Sequence, residues 1–176
     1  GQNMGRPEVN KLVIVGGGTA GWITAAAFAR LLGGRLAIEL VESEAIGTVG
    51  VGEATIPQII RLNHILGIDE HDFLRRTSGT FKLGIEFVDW GAVGTRYLHT
   101  FGETGMNLGS VGFHHYWRRS VAEGAQSSLW DYSLHQQAAD QARFGKMDRV
   151  GNTAMAGLAY AYHFDASRYA LYLRGY

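Results

Sequence analysis

Residues 11–21 read KLVIVGGGTAG, and this stretch decides the fold of the chain. The first five residues are mostly β-branched or aliphatic, which is typical of a strand buried on both faces. The alanine-rich segment 22–32 then predicts a helix that stops at Gly33, and a second apolar run, 36–41, predicts another strand. Together these segments form a strand–helix–strand unit of about 30 residues. The sequence therefore predicts an α/β fold built on a parallel pair of strands.

The glycines between the first strand and the helix match a dinucleotide-binding pattern, Gly-x-Gly-x-x-Gly. Gly16 permits a tight turn, Gly18 lets the backbone approach a pyrophosphate, and Gly21 lets the helix lie close to the strand. Glu42 follows about 20 residues later, at the end of the second strand, where an acid accepts hydrogen bonds from a ribose and disfavours NADP. This context indicates a Rossmann-like nucleotide site, but it does not by itself separate FAD from NAD.

A second glycine-rich loop, 50–55, leads into a predicted helix capped by Thr55 and ended by Gly67. Its backbone N–H groups would suit a flavin or its diphosphate. An ordinary loop before a capped helix explains the same spacing equally well.

The rest of the chain predicts additional strands and helices. Residues 80–90 alternate with a period of two, which indicates a half-buried strand with Phe81 on the apolar face and Lys82 on the other. Residues 97–101 are a possible partner strand. Further helices are predicted over 69–76, capped by Asp69, over 114–122, over 131–143, and over 166–174, capped by Asp165.

Composition excludes several classes of protein. Glycine makes up 25 of the 176 residues, about twice its average share of about 7%, and the hydrophobic share of 46% argues for a folded chain. Zero net charge gives no general attraction to nucleic acid or to a membrane surface. No apolar run approaches the roughly 18 residues of a membrane span, and no signal peptide is recognised.

The absence of cysteine excludes thiolate metal sites and fits a reducing compartment, so a cytoplasmic location is expected. No metal site is expected either, because the adjacent His114 and His115 should point apart on a regular element and no histidine–carboxylate motif appears. Residues 1–10 are expected to be a tag remnant or a disordered N-terminus.

Several motifs, in order, resemble the N-terminal portion of the flavin-dependent tryptophan halogenase family. Residues 15–22 (VGGGTAGW) and 50–57 (GVGEATIP) carry the first part of the resemblance. The segment from Phe81 to Trp90, residues 99–102 (HTFG), residues 115–117 (HYW) and residues 162–166 (YHFDA) follow. The resemblance runs from about residue 11 to the end of the chain.

The resemblance implies an enzyme that uses FAD in its reduced form, FADH2, with O2 and a halide. A separate flavin reductase supplies FADH2, and the hypohalous acid that forms is directed by a lysine onto a small aromatic substrate such as tryptophan or an indole. The resemblance places that lysine at Lys82. A lysine ammonium offers three hydrogen-bond donors, and burial lowers its pKa. The residues alone favour a solvated strand lysine paired with Glu86; the family match favours the catalytic role.

The resemblance also assigns binding residues. The FAD diphosphate would be held by Gly16, Gly18, Thr19, Ala20 and Gly21, and the ribose by Glu42. The flavin side would be lined by Ser43, Ile46, Gly52 and Glu53. His99 and Phe101 would contact the aromatic substrate, Phe101 by stacking; simple strand packing is the alternative for these two.

Parts of the family pattern have no counterpart in residues 1–176. The Trp-x-Trp-x-x-Pro motif, the second acidic catalytic residue and the halide-binding loop of the family are not found. Residues 11–176 are therefore expected to form an FAD-binding halogenase-like domain that is incomplete at its C-terminus. A flavin-dependent aromatic monooxygenase and an inactive FAD-binding fragment remain alternatives. An NAD-dependent dehydrogenase gives no account of Lys82 or of the loop 50–55.

Overall fold

A computed structural model describes residues 8–46 and 51–176. The chain divides into two compact units: one is formed by the residues up to Thr80 together with Tyr162–Tyr176, and the other by Phe81–Ala161. The sequence predictions for residues 1–7 and for Gly50 lie outside the described residues.

The described residues form both strands and helices. The strands are β1 (Lys11–Val15), β2 (Ala37–Val41), β3 (Gly52–Ala54), β4 (Thr80–Lys82), β5 (Gly84–Val88), β6 (Arg96–Thr100) and β7 (Ala161–Asp165). The α-helices are α1 (Thr19–Leu32), α2 (Gln58–Leu66), α3 (Glu70–Thr77), α4 (Phe113–Ala122), α5 (Leu134–Asp140) and α6 (Ala166–Arg174). A 3₁₀-helix spans Leu129–Tyr132.

The strand–helix–strand unit predicted from residues 11–41 is confirmed. Strands β1 and β2 are parallel, in a register that places Lys11 opposite Ala37 and Val15 opposite Val41. Helix α1 ends at Gly33, which adopts the left-handed conformation with φ 55°. The helix begins three residues earlier than predicted, because the last glycine of the motif belongs to its first turn.

The predicted helix cap at Thr55 is wrong. Helix α2 starts at Gln58, and its N-cap position is held by Pro57. The Thr55 hydroxyl instead accepts a hydrogen bond from the Tyr162 N–H at 3.1 Å and donates one to the Tyr162 carbonyl at 2.9 Å. Thr55 thereby continues the antiparallel pairing of β3 with β7, where Gly52 lies opposite Asp165.

The predicted caps at Asp69 and Asp165 are confirmed. The Asp69 carboxylate accepts from the Asp72 N–H at 2.8 Å, and the Asp165 carboxylate accepts from the Arg168 N–H at 3.1 Å. Each carboxylate accepts from an N–H group in the first turn of its helix, which has no acceptor within the helix itself.

Four aromatic rings form the core of the first unit. Phe73 of α3 meets Tyr162 and Phe164 of β7 and Tyr169 of α6, with ring centroids between 4.9 and 5.5 Å apart. The Tyr162 hydroxyl donates to the Glu70 carboxylate at 2.6 Å, so this buried phenol is satisfied within the unit. Burial raises the pKa of Tyr169.

The single strand predicted over 80–90 is wrong in two respects. The structure breaks it at Leu83 into β4 and β5, and β5 pairs antiparallel with β6. The predicted apolar face is also wrong at its start: the Phe81 side chain is 37% exposed and Lys82 is only 7% exposed. Phe81 stacks on Phe144 of the same unit at 4.0 Å, a distant partner that the local period of two does not reveal.

The helix predicted over 131–143 is shorter than expected. Ser133 is fully buried and caps α5 by accepting from the Gln136 N–H at 3.2 Å, which separates α5 from the preceding 3₁₀-helix. Within residues 8–46 and 51–176, none of the helices has the length and apolar character needed to cross a bilayer.

Candidate cofactor site and buried lysine

The glycine loop of the first unit is tightly closed against β1. Gly16 has φ 120°, and its N–H donates to the Val41 carbonyl at 2.9 Å. A Cβ atom added to Gly21 would lie 1.9 Å from the Gly16 carbonyl oxygen. The start of α1 therefore lies directly on the end of β1, at a distance that only glycine permits.

The other side of the loop is open. No atom lies within 4 Å of the position that a Cβ on Gly18 would take. Helix α1 has no side-chain cap and no acid in its first turn, and Trp22 is the first residue whose N–H bonds back to Gly18. The N–H groups of Thr19, Ala20 and Gly21 have no acceptor within the helix. This cradle fits an anionic diphosphate such as that of FAD.

Glu42 lies beside this cradle, where a ribose-binding acid is predicted. Its carboxylate folds over Gly17: a Cβ at Gly17 would lie 1.7 Å from Glu42 Oε2. The other oxygen accepts from Arg174 of α6 at 3.4 Å. Sequence reasoning gave no role to Gly17 or Arg174. A glycine at the middle of the run 16–18, which the Gly-x-Gly-x-x-Gly pattern does not require, was the available signal for Gly17. The contact of Glu42 with Arg174 depends on tertiary packing and left no local signal.

The residues predicted for the flavin side are placed by β2 and β3. The Thr19 hydroxyl donates to the Glu53 carboxylate at 3.5 Å, so the structure brings Glu53 of β3 to the start of α1. Ser43 and Ile46 form a turn after β2, in which the Ile46 N–H donates to the Ser43 carbonyl at 3.3 Å. Gly52 opens β3, and the space around it is empty to 4 Å.

Lys82 in the second unit is buried, with 7% of its surface exposed. Burial lowers the pKa of its ammonium group because the charged form loses hydration. Its predicted neighbour Glu86 forms an ion pair with Arg96 across β5 and β6. The alternative considered from the sequence, a solvated strand lysine paired with Glu86, therefore does not fit Lys82.

Of the two predicted substrate residues, the structure brings Phe101 to Lys82. The Lys82 Nζ lies 5.5 Å from the centroid of the Phe101 ring, within the range of a cation–π contact. The Phe101 N–H donates to the Leu83 carbonyl at 3.0 Å. His99 lies on β6 opposite Ile85 and is exposed.

The expectation that His114 and His115 point apart is wrong. Both lie in the first turn of α4, and their ring centroids are 4.0 Å apart. A residue-to-residue rotation of about 100° on a helix leaves room for two long side chains to lean together. In the described part of the chain, no group of three histidine, aspartate or glutamate side chains is placed to hold a metal ion.

Comparison with known proteins agrees with this architecture. The sequence model of the tryptophan halogenase family matches residues 11–176. The 7-chloro-L-tryptophan 6-halogenase of Kutzneria sp. is 35% identical over 185 residues, which cover 94% of this chain and 35% of that protein.

Two solved structures of flavin-dependent halogenases share the fold. One, from Xanthomonas campestris, superposes with a TM-score of 0.86 at 48% identity and covers 95% of this chain and 33% of that one. The other, BrvH from a Brevundimonas species, has a TM-score of 0.86 at 39% identity and covers 97% of this chain and 34% of that one.

The chain spans about a third of the length of the curated relatives it matches. The family model nevertheless matches residues 11–176 as one continuous region. The chain therefore belongs to the tryptophan halogenase family.

Proposed function

We propose that the full-length protein carrying this chain is an FADH2-dependent halogenase. It uses O2 and a halide to form hypohalous acid, which Lys82 directs onto a small aromatic substrate such as tryptophan or an indole. The observation that carries this proposal is the burial of Lys82 with its Nζ 5.5 Å from the centroid of the Phe101 ring. Residues 11–176 form its FAD-binding, halogenase-like part.

The glycine cradle supports FAD as the cofactor. The N–H groups of Thr19, Ala20 and Gly21 would hold the diphosphate, with Gly16 and Gly18 leaving room for it, and Glu42 would accept hydrogen bonds from the ribose. Ser43, Ile46, Gly52 and Glu53 would line the flavin side. Bound in its reduced form, the cofactor supplies with O2 the oxidising power that converts halide to hypohalous acid.

Lys82 would act on the hypohalous acid by hydrogen bonding. Its ammonium donates to the oxygen, which draws electron density from the halogen and makes it more electrophilic toward an aromatic carbon. The lowered pKa of Lys82 strengthens this role, because a more acidic N–H is a better donor. Arginine would not substitute for it, since a guanidinium remains a planar, weakly acidic cation.

Phe101 would orient the aromatic substrate by stacking, and His99 would contact it from β6. An aromatic substrate suits this region because an aromatic ring already lies beside the ammonium group. A separate flavin reductase would supply FADH2, and the reaction would take place in the cytoplasm.

Replacement of Lys82 by alanine tests the proposal. In the full-length protein Lys82→Ala should abolish halogenation of tryptophan or indole, while oxidation of FADH2 and release of peroxide continue. Product is measured by mass spectrometry and flavin oxidation by absorbance. Lys11→Ala is the matched control, because Lys11 is an exposed lysine paired with Glu39 in the first unit.

Two outcomes would contradict the proposal. Retained halogenation by Lys82→Ala would remove the role of this lysine. A hydroxylated product that forms without halide would instead identify a flavin-dependent aromatic monooxygenase, the alternative that shares the same FAD cradle.

A further inference from the structure

A buried histidine in the second unit is held by the backbone of one distant residue, Ala159. His135 lies in the first turn of α5 and is 3% exposed. The Ala159 N–H lies 2.8 Å from its Nε2 atom, and the Ala159 carbonyl oxygen lies 3.1 Å from the same atom. These contacts fix the ring between α5 and the segment that leads toward β7.

The His135 ring lies against Gly102. A Cβ atom at Gly102 would lie 1.8 Å from the His135 Cε1 and 2.1 Å from its Nδ1. The imidazole therefore occupies the space that any side chain at position 102 would need. This contact limits how far the backbone at Gly102 can shift toward α5.

Gly102 is covalently next to Phe101, which faces Lys82. The Phe101 N–H is tied to the Leu83 carbonyl at 3.0 Å, and the Thr100 hydroxyl donates to the Gly102 carbonyl at 3.3 Å. Thr100 itself is 8% exposed. The backbone of this turn is thus held on one side by the neighbour of Lys82 and on the other by the His135 ring.

The His135 ring is suited to this contact as a neutral group. Burial lowers its pKa below the ordinary 6.5. Nε2 accepts a hydrogen bond from the Ala159 N–H, which it can do only while it carries no proton. The proton of the neutral ring is then on Nδ1, which has no hydrogen-bond partner within residues 8–46 and 51–176. A second proton would have to sit on Nε2, where it would break the hydrogen bond from Ala159.

We infer that His135 is a positioning residue for halogenation: by holding Gly102 it keeps the Phe101 ring over the Lys82 ammonium and keeps water away from that ammonium. The inference rests on the proposed function of Lys82. It assigns no contact of His135 with substrate or cofactor.

The test uses full-length protein with His135→Ala, which removes the ring, and His135→Gln, which keeps an amide near Ala159 but lacks the ring against Gly102. Halogenated product is measured per FADH2 oxidised. The pKa of Lys82 is measured separately, from the pH dependence of its acetylation rate by mass spectrometry. Trp117→Phe is the matched control, because it also removes one side-chain hydrogen bond to a backbone carbonyl of the same unit, that of Ser127 at 3.0 Å.

Both His135 variants should lower product per FADH2 oxidised by about ten- to a hundredfold, as small misplacements of reacting groups do. Flavin oxidation should be unchanged. The measured pKa of Lys82 should rise toward that of an ordinary lysine as water reaches it, and Trp117→Phe should leave both quantities unchanged. If His135→Ala does not fold, His135→Gln is judged by the same two measurements.

A lower melting temperature with unchanged product ratio and unchanged Lys82 pKa would overturn the inference, because His135 would then be structural only. Failure of the proposed function is distinguishable: if Lys82→Ala still halogenates, the role of Lys82 is lost, yet the Lys82 pKa in the His135 variants still decides whether His135 shields it.

A second variant tests the contact itself. Gly102→Ala should lower the product ratio as the His135 variants do, because its Cβ strikes the ring. In the double variant Gly102→Ala with His135→Ala, the alanine at 102 should add little further loss. Fully additive losses would show that the two positions act independently and would contradict the inference.

Discussion

The glycine cradle and the surroundings of Lys82 are built in opposite ways. The cradle is made of backbone: Gly18 faces open space, and neighbouring glycines permit approaches that a Cβ would block. Lys82 is a side chain buried to 7% exposure, with an aromatic ring over its ammonium. The first region displays N–H donors to an incoming anion, and the second removes water from a cation.

This difference predicts how each region responds to amino-acid substitution. A backbone cradle tolerates most side-chain changes around it but not an added Cβ at the wrong glycine. A buried lysine depends on every residue that keeps water out, even one that never touches it. Substitutions in the two regions should therefore differ in kind as well as in size.

The largest effect in the cradle is expected for Gly21→Ala. Its Cβ would lie 1.9 Å from a backbone oxygen, so α1 must shift away from β1; overpacking of this kind costs about 1–3 kcal/mol. Both the free energy of unfolding and FAD affinity should fall. Urea unfolding and FAD titration by fluorescence measure the two quantities.

Gly18→Ala is the matched control for Gly21→Ala. Its Cβ enters open space, so the free energy of unfolding should be unchanged while FAD affinity falls, because the methyl group occupies the approach to the diphosphate. Equal losses of stability in the two variants would contradict the difference between the closed contact at Gly21 and the open space at Gly18.

A smaller effect is expected from pH in the region of the buried histidine. Burial lowers the pKa of folded His135 below 6.5, so the unfolded chain takes up this proton first as pH falls. Stability should be constant in this respect above about pH 6.5 and should decline below it, down to the folded pKa. Melting temperature between pH 4.5 and 8 measures this.

His135→Phe should remove that part of the pH dependence, since phenylalanine does not titrate. If the melting temperatures of the wild-type protein and of His135→Phe change in parallel with pH, His135 has the same pKa in the folded and unfolded states, and the prediction is wrong.

The smallest effect is expected on the surface of the first unit. Lys11 and Glu39 form an ion pair at 2.5 Å across β1 and β2, but both side chains are about half exposed. Exposed pairs of this kind contribute less than about 1 kcal/mol. Lys11→Met should change the unfolding free energy by no more than that, and the change should shrink further in 0.5 M salt. A loss as large as that of Gly21→Ala would contradict the contrast between backbone cradle and exposed side chains.

Local signals carried most of what the sequence predicted correctly. Strands β1 and β2, helix α1 and the caps at Asp69 and Asp165 depend on residues within a few positions of one another, and the structure confirms them. The site roles of the cradle residues and of Lys82 stay predictions until they are tested.

The features that sequence reasoning missed depend on distant partners. Thr55 bonds to Tyr162, which is 107 residues away in the chain, and Phe81 faces Phe144 rather than a neighbouring apolar residue. The same holds for His135, whose contact with Gly102 has no local pattern. Side chains chosen by tertiary packing leave no fixed spacing to recognise.

The division of the first unit between two stretches of chain has a consequence for synthesis on the ribosome. Phe73 is made early, but the rings that cover it, Tyr162, Phe164 and Tyr169, follow only after the whole second unit. Helix α3 therefore carries an uncovered aromatic ring while residues 81–161 emerge and fold. During that interval the nascent chain offers chaperones an apolar target. A chain that ends before residue 162 has a first unit without its last strand and helix.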